Sequence, residues 1–136
     1  MLAIRAMGTF DDPSILRKAL DLAWTDEIKV SELRYLFGSA LGRLASRPVL
    51  YAWEKENWAR LRARLPPSFA GEILGDVIAT ICTPETRDDA REFVAHATKD
   101  MEGVKRRIDQ AFEMAGLCIA LREHGAAEVS RYMARK

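Results

Sequence analysis

The sequence is short of the residues from which reactive centres are usually built, with two cysteines and two histidines in 136 residues. Cys82 and Cys118 have 35 residues between them, a spacing that fits neither a zinc-binding pair nor a redox motif. Their apolar neighbours Ile81, Leu117 and Ile119 suit two buried thiols in a reducing compartment, with a disulfide as the alternative. His96 and His124 are 28 residues apart and neither precedes a glutamate. That excludes a local zinc helix, whose imidazoles must share a face at i and i+4 with a glutamate after the first. His96 falls off the stripe of Phe93, Val94 and Ala97 and is expected in solvent. His124, beside Gly125, is expected at a helix C-terminus, where an imidazolium meets the helix dipole favourably. Cys118 and His124 would lie about 600° apart around a helix, which argues against a nucleophile and base pair.

Long apolar runs are missing as well. No stretch approaches the roughly 20 residues needed to cross a bilayer, and the N-terminus lacks a secretory core, so the chain reads as soluble and cytoplasmic. There is no excess of charge: 21 basic and 20 acidic side chains leave a net +1, which provides no field for nucleic acid or an anionic membrane. The run Arg60, Arg62, Arg64 is read as a solvated helix end without a stacking platform for bases. Glu54 and Glu56, like Asp88 and Asp89, are read as solvated faces, with Glu56 placed to pair with Arg60 at i+4. No glycine-rich phosphate loop follows a strand, because no strand is predicted.

What remains is ordinary globular material: 49% hydrophobic and 30% charged residues, enough to bury one core and too apolar for disorder. Residues 1–136 are expected to form a single domain. Apolar residues recur at helical spacing, as in Leu33, Leu36, Phe37, Ala40, Leu41 and in Phe69, Ile73, Leu74, Val77, Ile78. Caps and prolines divide the pattern into helices over about 1–7, 13–24, 31–45, 48–65, 68–82, 85–98, 103–123 and 126–134, with Gly125 as a left-handed stop. Pro13, Pro48 and Pro84 open the first helix of successive hairpins and lie 35 and 36 residues apart. The fold class expected is therefore all-α, with antiparallel helix pairs stacked as a HEAT/armadillo-like superhelical array. Leu2, Ile4 and Met7 form a stripe that ends at Gly8, either the end of a cut helix from a preceding repeat or a short amphipathic helix of this domain.

The segment Tyr51-Ala-Trp-Glu-Lys-Glu-Asn-Trp-Ala-Arg-Leu61 resembles a Trp-x-x-x-Lys-x-Asn-Trp-x-x-Leu type of signature. It belongs to the C-terminal helical domain of the aminopeptidase N, puromycin-sensitive and endoplasmic-reticulum aminopeptidase family. The resemblance assigns Trp53, Asn57 and Trp58 to the family's first tryptophan and its Asn-Trp pair, with Trp53 two residues nearer that pair than the signature has it. Met7-Gly-Thr-Phe-Asp-Asp-Pro13, Ile28-Lys-Val-Ser-Glu-Leu33, Asp88-Asp-Ala-Arg-Glu-Phe93 and Arg107-Ile-Asp-Gln-Ala-Phe-Glu113 resemble further pieces of the same domain in the same order. The resemblance implies architectural roles for Trp53, Asn57, Trp58, Phe93 and Glu113, and no catalytic, cofactor-binding or metal-binding residue in this chain. Zinc is expected in a catalytic domain that the chain does not contain. The resemblance also implies a domain that covers the catalytic cavity and shapes peptide access. Its partners would be that catalytic domain and the distal part of a peptide, with neither nucleic acid nor membrane. A stand-alone helical-repeat adaptor, gripping a peptide or protein in its concave groove, is the alternative.

Overall fold

The computed structural model describes residues 2–135 and is all helical, with no strand among them. The first predicted helix is seen as α1, Leu2–Met7, its Met1 end lying outside the described residues. There follow α2, Pro13–Asp21, a 3-10 turn Leu22–Trp24, a second turn Val30–Glu32, and α3, Leu33–Leu41. The remaining helices are α4, Arg47–Arg64, α5, Pro67–Ala79, α6, Pro84–Ala97, and α7, Lys105–Met133.

Local chemistry explains most of the starts. Asp12 accepts from the backbone N–H groups of Ser14 and Ile15 at 2.8 and 3.1 Å, with Pro13 in the first turn of α2. Thr83 does the same for Thr86 at 3.4 Å ahead of Pro84. These capped starts satisfy donors that would otherwise be orphaned, while the proline in the first turn sacrifices nothing. Two boundaries depart from expectation. The helix expected over about 31–45 opens with a 3-10 turn and ends at Leu41. The residues read as two helices, 103–123 and 126–134, are one, and the left-handed glycine is Gly103, at φ 78°, in the turn that leads into α7. Gly125 costs an exposed helix roughly 1 kcal/mol relative to alanine, and Ala126, Ala127 and Glu128 are good enough helix formers to carry the helix through.

The helices pack as two layers. In one, α2 rests on α4, and α4 reaches α6 through Trp58 and Tyr51. In the other, α1 packs on α3, α3 on α5 and α5 on α7. The long-range side-chain hydrogen bonds run from 31 residues, for Arg107 to Asp76, to 39 residues, for Trp58 to Ala97. That range brackets the 35 and 36 residues between the helix-opening prolines.

Central to the packing is α5, which buries Ala70, Ile73, Leu74, Val77 and Ile78 together with Gly71 and Gly75. Fully burying one such aliphatic side chain is worth about 1.5–3 kcal/mol. The two glycines let α7 approach: a Cβ on Gly71 would overlap Val104 Cγ1, and one on Gly75 would sit 3.0 Å from Arg107 Cγ. Gly8 serves α1 similarly, since a Cβ there would stand 2.5 Å from the Leu36 carbonyl oxygen. Between the layers, Trp53 stacks on Trp24 at 5.2 Å and meets Phe37 at 5.8 Å.

Candidate functional site

A cleft of about 790 Å³ is bounded by the first half of α4, the end of α5, the start of α6 and the middle of α7. Its walls are mainly apolar, with Leu44, Pro48, Val77 and Ile81 among them, and Arg47, Arg122 and Glu85 add charge. Each wall follows from local sequence. Pro48 opens α4 and so places Tyr51 one turn further along the same face, while the Thr83 cap directs α6 so that Asp89 faces α4.

Asp89 is the electrostatic anchor of this wall. The Tyr51 hydroxyl donates to its Oδ2 at 2.5 Å and the Lys55 ammonium to its Oδ1 at 2.6 Å. The bond from Lys55, followed by that from Tyr51, holds the Asp89 carboxyl below its ordinary value against a smaller opposing effect of burial. Burial, then the bond to Asp89 and its negative charge, push the Tyr51 phenol well above its usual range. A carboxylate so held is a poor general base and a good strut between α4 and α6.

A covalent bond closes the opposite side of the cleft. Cys82 and Cys118 form a disulfide with their Cα atoms 5.1 Å apart, and both line the cleft. This corrects the reading of two separate buried thiols and removes the ground for inferring a reducing compartment from them. The two residues are half-buried, and the bridge ties the loop after α5 to the middle of α7.

The five motif positions are spread through the fold. Trp53 is buried and its indole N–H donates to Asp21 Oδ1 at 2.8 Å. Asn57 donates to the Trp53 carbonyl oxygen at 2.9 Å, a bond within α4. Trp58 is buried, donates to the Ala97 carbonyl oxygen at 3.0 Å and meets the Phe93 ring edge-on at 6.1 Å. Glu113 stands exposed on α7, away from the other four in sequence and on a different layer.

Several charged residues depart from their sequence readings. Glu56 pairs with Arg17 of α2 rather than with Arg60. Arg60 lies over the Trp24 ring at 4.2 Å, Arg64 donates to the Thr25 carbonyl oxygen at 3.1 Å and Arg62 to that of Ala97 at 3.4 Å. Arg60 and Arg62 are exposed, as a solvated helix end requires, yet all three arginines also fasten α4 to its neighbours. His96 is exposed as expected, whereas His124 is an interior position of α7 and not a helix end.

Glu54 is the largest departure. It is 1% exposed, and neither carboxyl oxygen has a hydrogen-bond partner. Burial, reinforced by the negative charge of Asp76, raises its pKa well above the ordinary value and so disfavours its ionised form. Sequence reasoning also missed the roles of Tyr51, Lys55 and Asp89. The available signal was spacing: Tyr51 and Lys55 are one helical turn apart, and Asp89 follows them by 38 and 34 residues, close to the proline period.

Among the described residues no group of three or more His, Cys, Asp or Glu side chains is placed to hold a metal ion. No helix among them is long and apolar enough to cross a membrane.

A family model described as the ERAP1-like C-terminal domain matches residues 1–115. Aminopeptidase M1-B of Oryza sativa subsp. japonica is 29% identical over 103 residues, covering 75% of this chain and 11% of that protein. Aminopeptidase 2, mitochondrial, of Saccharomyces cerevisiae is 23% identical over 117 residues, covering 83% of this chain and 12% of that protein. No solved structure matches significantly.

Proposed function

Since the chain belongs to the ERAP1-like C-terminal domain family, we propose that it serves as the non-catalytic C-terminal domain of a zinc-dependent aminopeptidase. In this role it covers the catalytic cavity and shapes peptide access. The match over residues 1–115 carries the reading. The two aminopeptidase relatives support it, as this chain spans only 11% and 12% of their lengths. The bonds spanning one repeat length support a HEAT/armadillo-like superhelical stack as its architecture.

We assign the metal and the hydrolytic groups to a catalytic domain that would be the partner of this chain; among the described residues no group of three or more His, Cys, Asp or Glu is placed to hold a metal ion. The contribution of the present residues is shape. The apolar cleft, with Arg47 and Arg122 in its walls, offers contacts to the distal part of an extended peptide, and the bridged, strutted walls keep that surface rigid.

The test uses the full-length gene product and Leu44→Asp, a change at a cleft position that is 78% exposed and so leaves the core intact. The variant should lower kcat/KM for long peptides severalfold while leaving turnover of a single aminoacyl amide unchanged. The isolated chain, supplied with zinc, should turn over neither. Equal loss on both substrates, no loss on either, or turnover by the isolated chain would defeat the proposal.

A further inference from the structure

The bridge between Cys82 and Cys118 lies where a reagent can reach it. Both cysteines are half-buried and line the cleft, whose volume of about 790 Å³ lies in the range that admits small molecules. Among disulfides, the exposed ones are the labile and regulatory ones, while structural ones resist reduction.

Its place in the fold limits what opening it would undo. Ile119, next to Cys118, is the last buried residue of α7, so the bridge stands at the edge of the packed part of that helix. About three helical turns earlier, Arg107 donates to Asp76 at 2.6 Å and lies against Gly75, and Val104 lies against Gly71. The helix that follows Cys82, α6, has its own fastening to α4 through Asp89 and the Ala97 carbonyl oxygen. With the sulfurs parted, these contacts still hold α5 to α7 and α6 to α4. What comes free is the loop around Cys82 and the turn of α7 around Cys118, the two walls that the bridge joins.

The charges beside the bridge favour its opening. Arg122 is one helical turn beyond Cys118 on α7 and lines the same cleft, as does Arg47 on α4. Of the two acids in the cleft wall, Asp89 is engaged by Tyr51 and Lys55, and Glu85 is the other. A guanidinium one turn away stabilises a departing thiolate.

We propose that Cys82 and Cys118 form a reversible thiol–disulfide exchange site, opened by a dithiol, that locks and unlocks these two walls of the cleft. One thiolate of the dithiol attacks Cys82 Sγ. The bond to Cys118 Sγ breaks as the new sulfur–sulfur bond forms, and the electron pair leaves on Cys118, beside Arg122. The second sulfur of the dithiol then displaces Cys82 and closes the reagent's own disulfide. Two electrons and two protons have passed from the dithiol to the two cysteines, and a disulfide oxidant of the same class runs the exchange backwards. The site concerns the walls alone and holds whether or not a peptide occupies the cleft.

The test treats the full-length gene product with dithiothreitol at neutral pH and without denaturant, then alkylates the thiols and maps them by peptide mass. Cys82 and Cys118 should become labelled together. Hydrogen exchange over residues 80–83 and 115–119 should rise roughly tenfold, with α4 and the first half of α5 unchanged, and oxidised dithiothreitol should reverse both effects. Cys82→Ser with Cys118→Ser should show the raised exchange without any reductant. Arg122→Gln, at an exposed position, should slow opening roughly threefold, whereas Arg122→Lys should keep the native rate. A bridge that stays closed until denaturant is added, opening that raises exchange throughout the chain, or opening that leaves 80–83 and 115–119 unchanged would overturn the proposal. Equal rates in the native protein and both Arg122 variants would overturn the assignment of Cys118 as the leaving sulfur.

Discussion

Replacing Glu54 by glutamine should remove a loss of stability that the native chain suffers as pH rises. Glu54 is buried without a partner, and burial together with Asp76 raises its folded pKa. Unfolded, it returns to an ordinary value near 4.5. A raised acid makes its full contribution below the unfolded value. Above it the folded state holds a proton that the unfolded state has released, and stability falls until pH passes the folded value. The slope through that window is about 1.4 kcal/mol per pH unit, and for a chain of this size each kcal/mol shifts Tm by roughly 3–5 °C. Glu54→Gln removes the ionisation while preserving shape. Urea denaturation of both proteins, followed by helical circular dichroism from pH 4.5 to 8.5, gives the difference directly, because Asp89 and other titrating groups cancel. The variant should gain on the native protein steadily as pH rises. A difference that stays flat from pH 5 to 8, or a variant that loses ground toward alkaline pH, would refute the raised pKa of Glu54.

Two further expectations concern helix contact and cross-linking. Gly71→Ala should cost about 1–3 kcal/mol in the same denaturation assay, because the new Cβ meets Val104 across the α5 and α7 contact, whereas Gly116→Ala, with nothing within 4 Å, should gain about 0.5–1 kcal/mol. Reducing the Cys82 and Cys118 bridge, or replacing both residues by serine, should lower stability by about 2–4 kcal/mol, measured as a shift in the urea midpoint with and without reductant.

The helical class and most helix positions were legible because the strongest signals are local. Pro13, Pro48 and Pro84 mark starts by backbone geometry alone, and the apolar period of α5 is unmistakable. The family resemblance was likewise carried by short segments such as Tyr51 to Leu61. What escaped was decided between helices. Arg60 had a local partner available in Glu56, yet the Trp24 face and Arg17 from α2 offered each a better one, and neither is visible in a single window. Glu54 looks like any helical surface glutamate, since only the packing of α4 against its neighbours determines that its side faces inward. Gly125 carried the usual stop signal and was overridden by the helix formers that follow it. The disulfide depends on bringing positions in α7 and the loop after α5 within bonding distance, and spacing alone does not foretell that. Of the cleft itself, only the proline and threonine caps that orient its walls could be read in advance.

The bridge between Cys82 and Cys118 also alters how the molecule would bear a load. A force drawing its two ends apart would pass through the sulfur atoms and skip α6 altogether. The 35 intervening residues would thus stay slack as hidden contour, about 120 Å of it, released only on reduction. Under tension, that shortcut would make this segment stiffer than its helices alone allow.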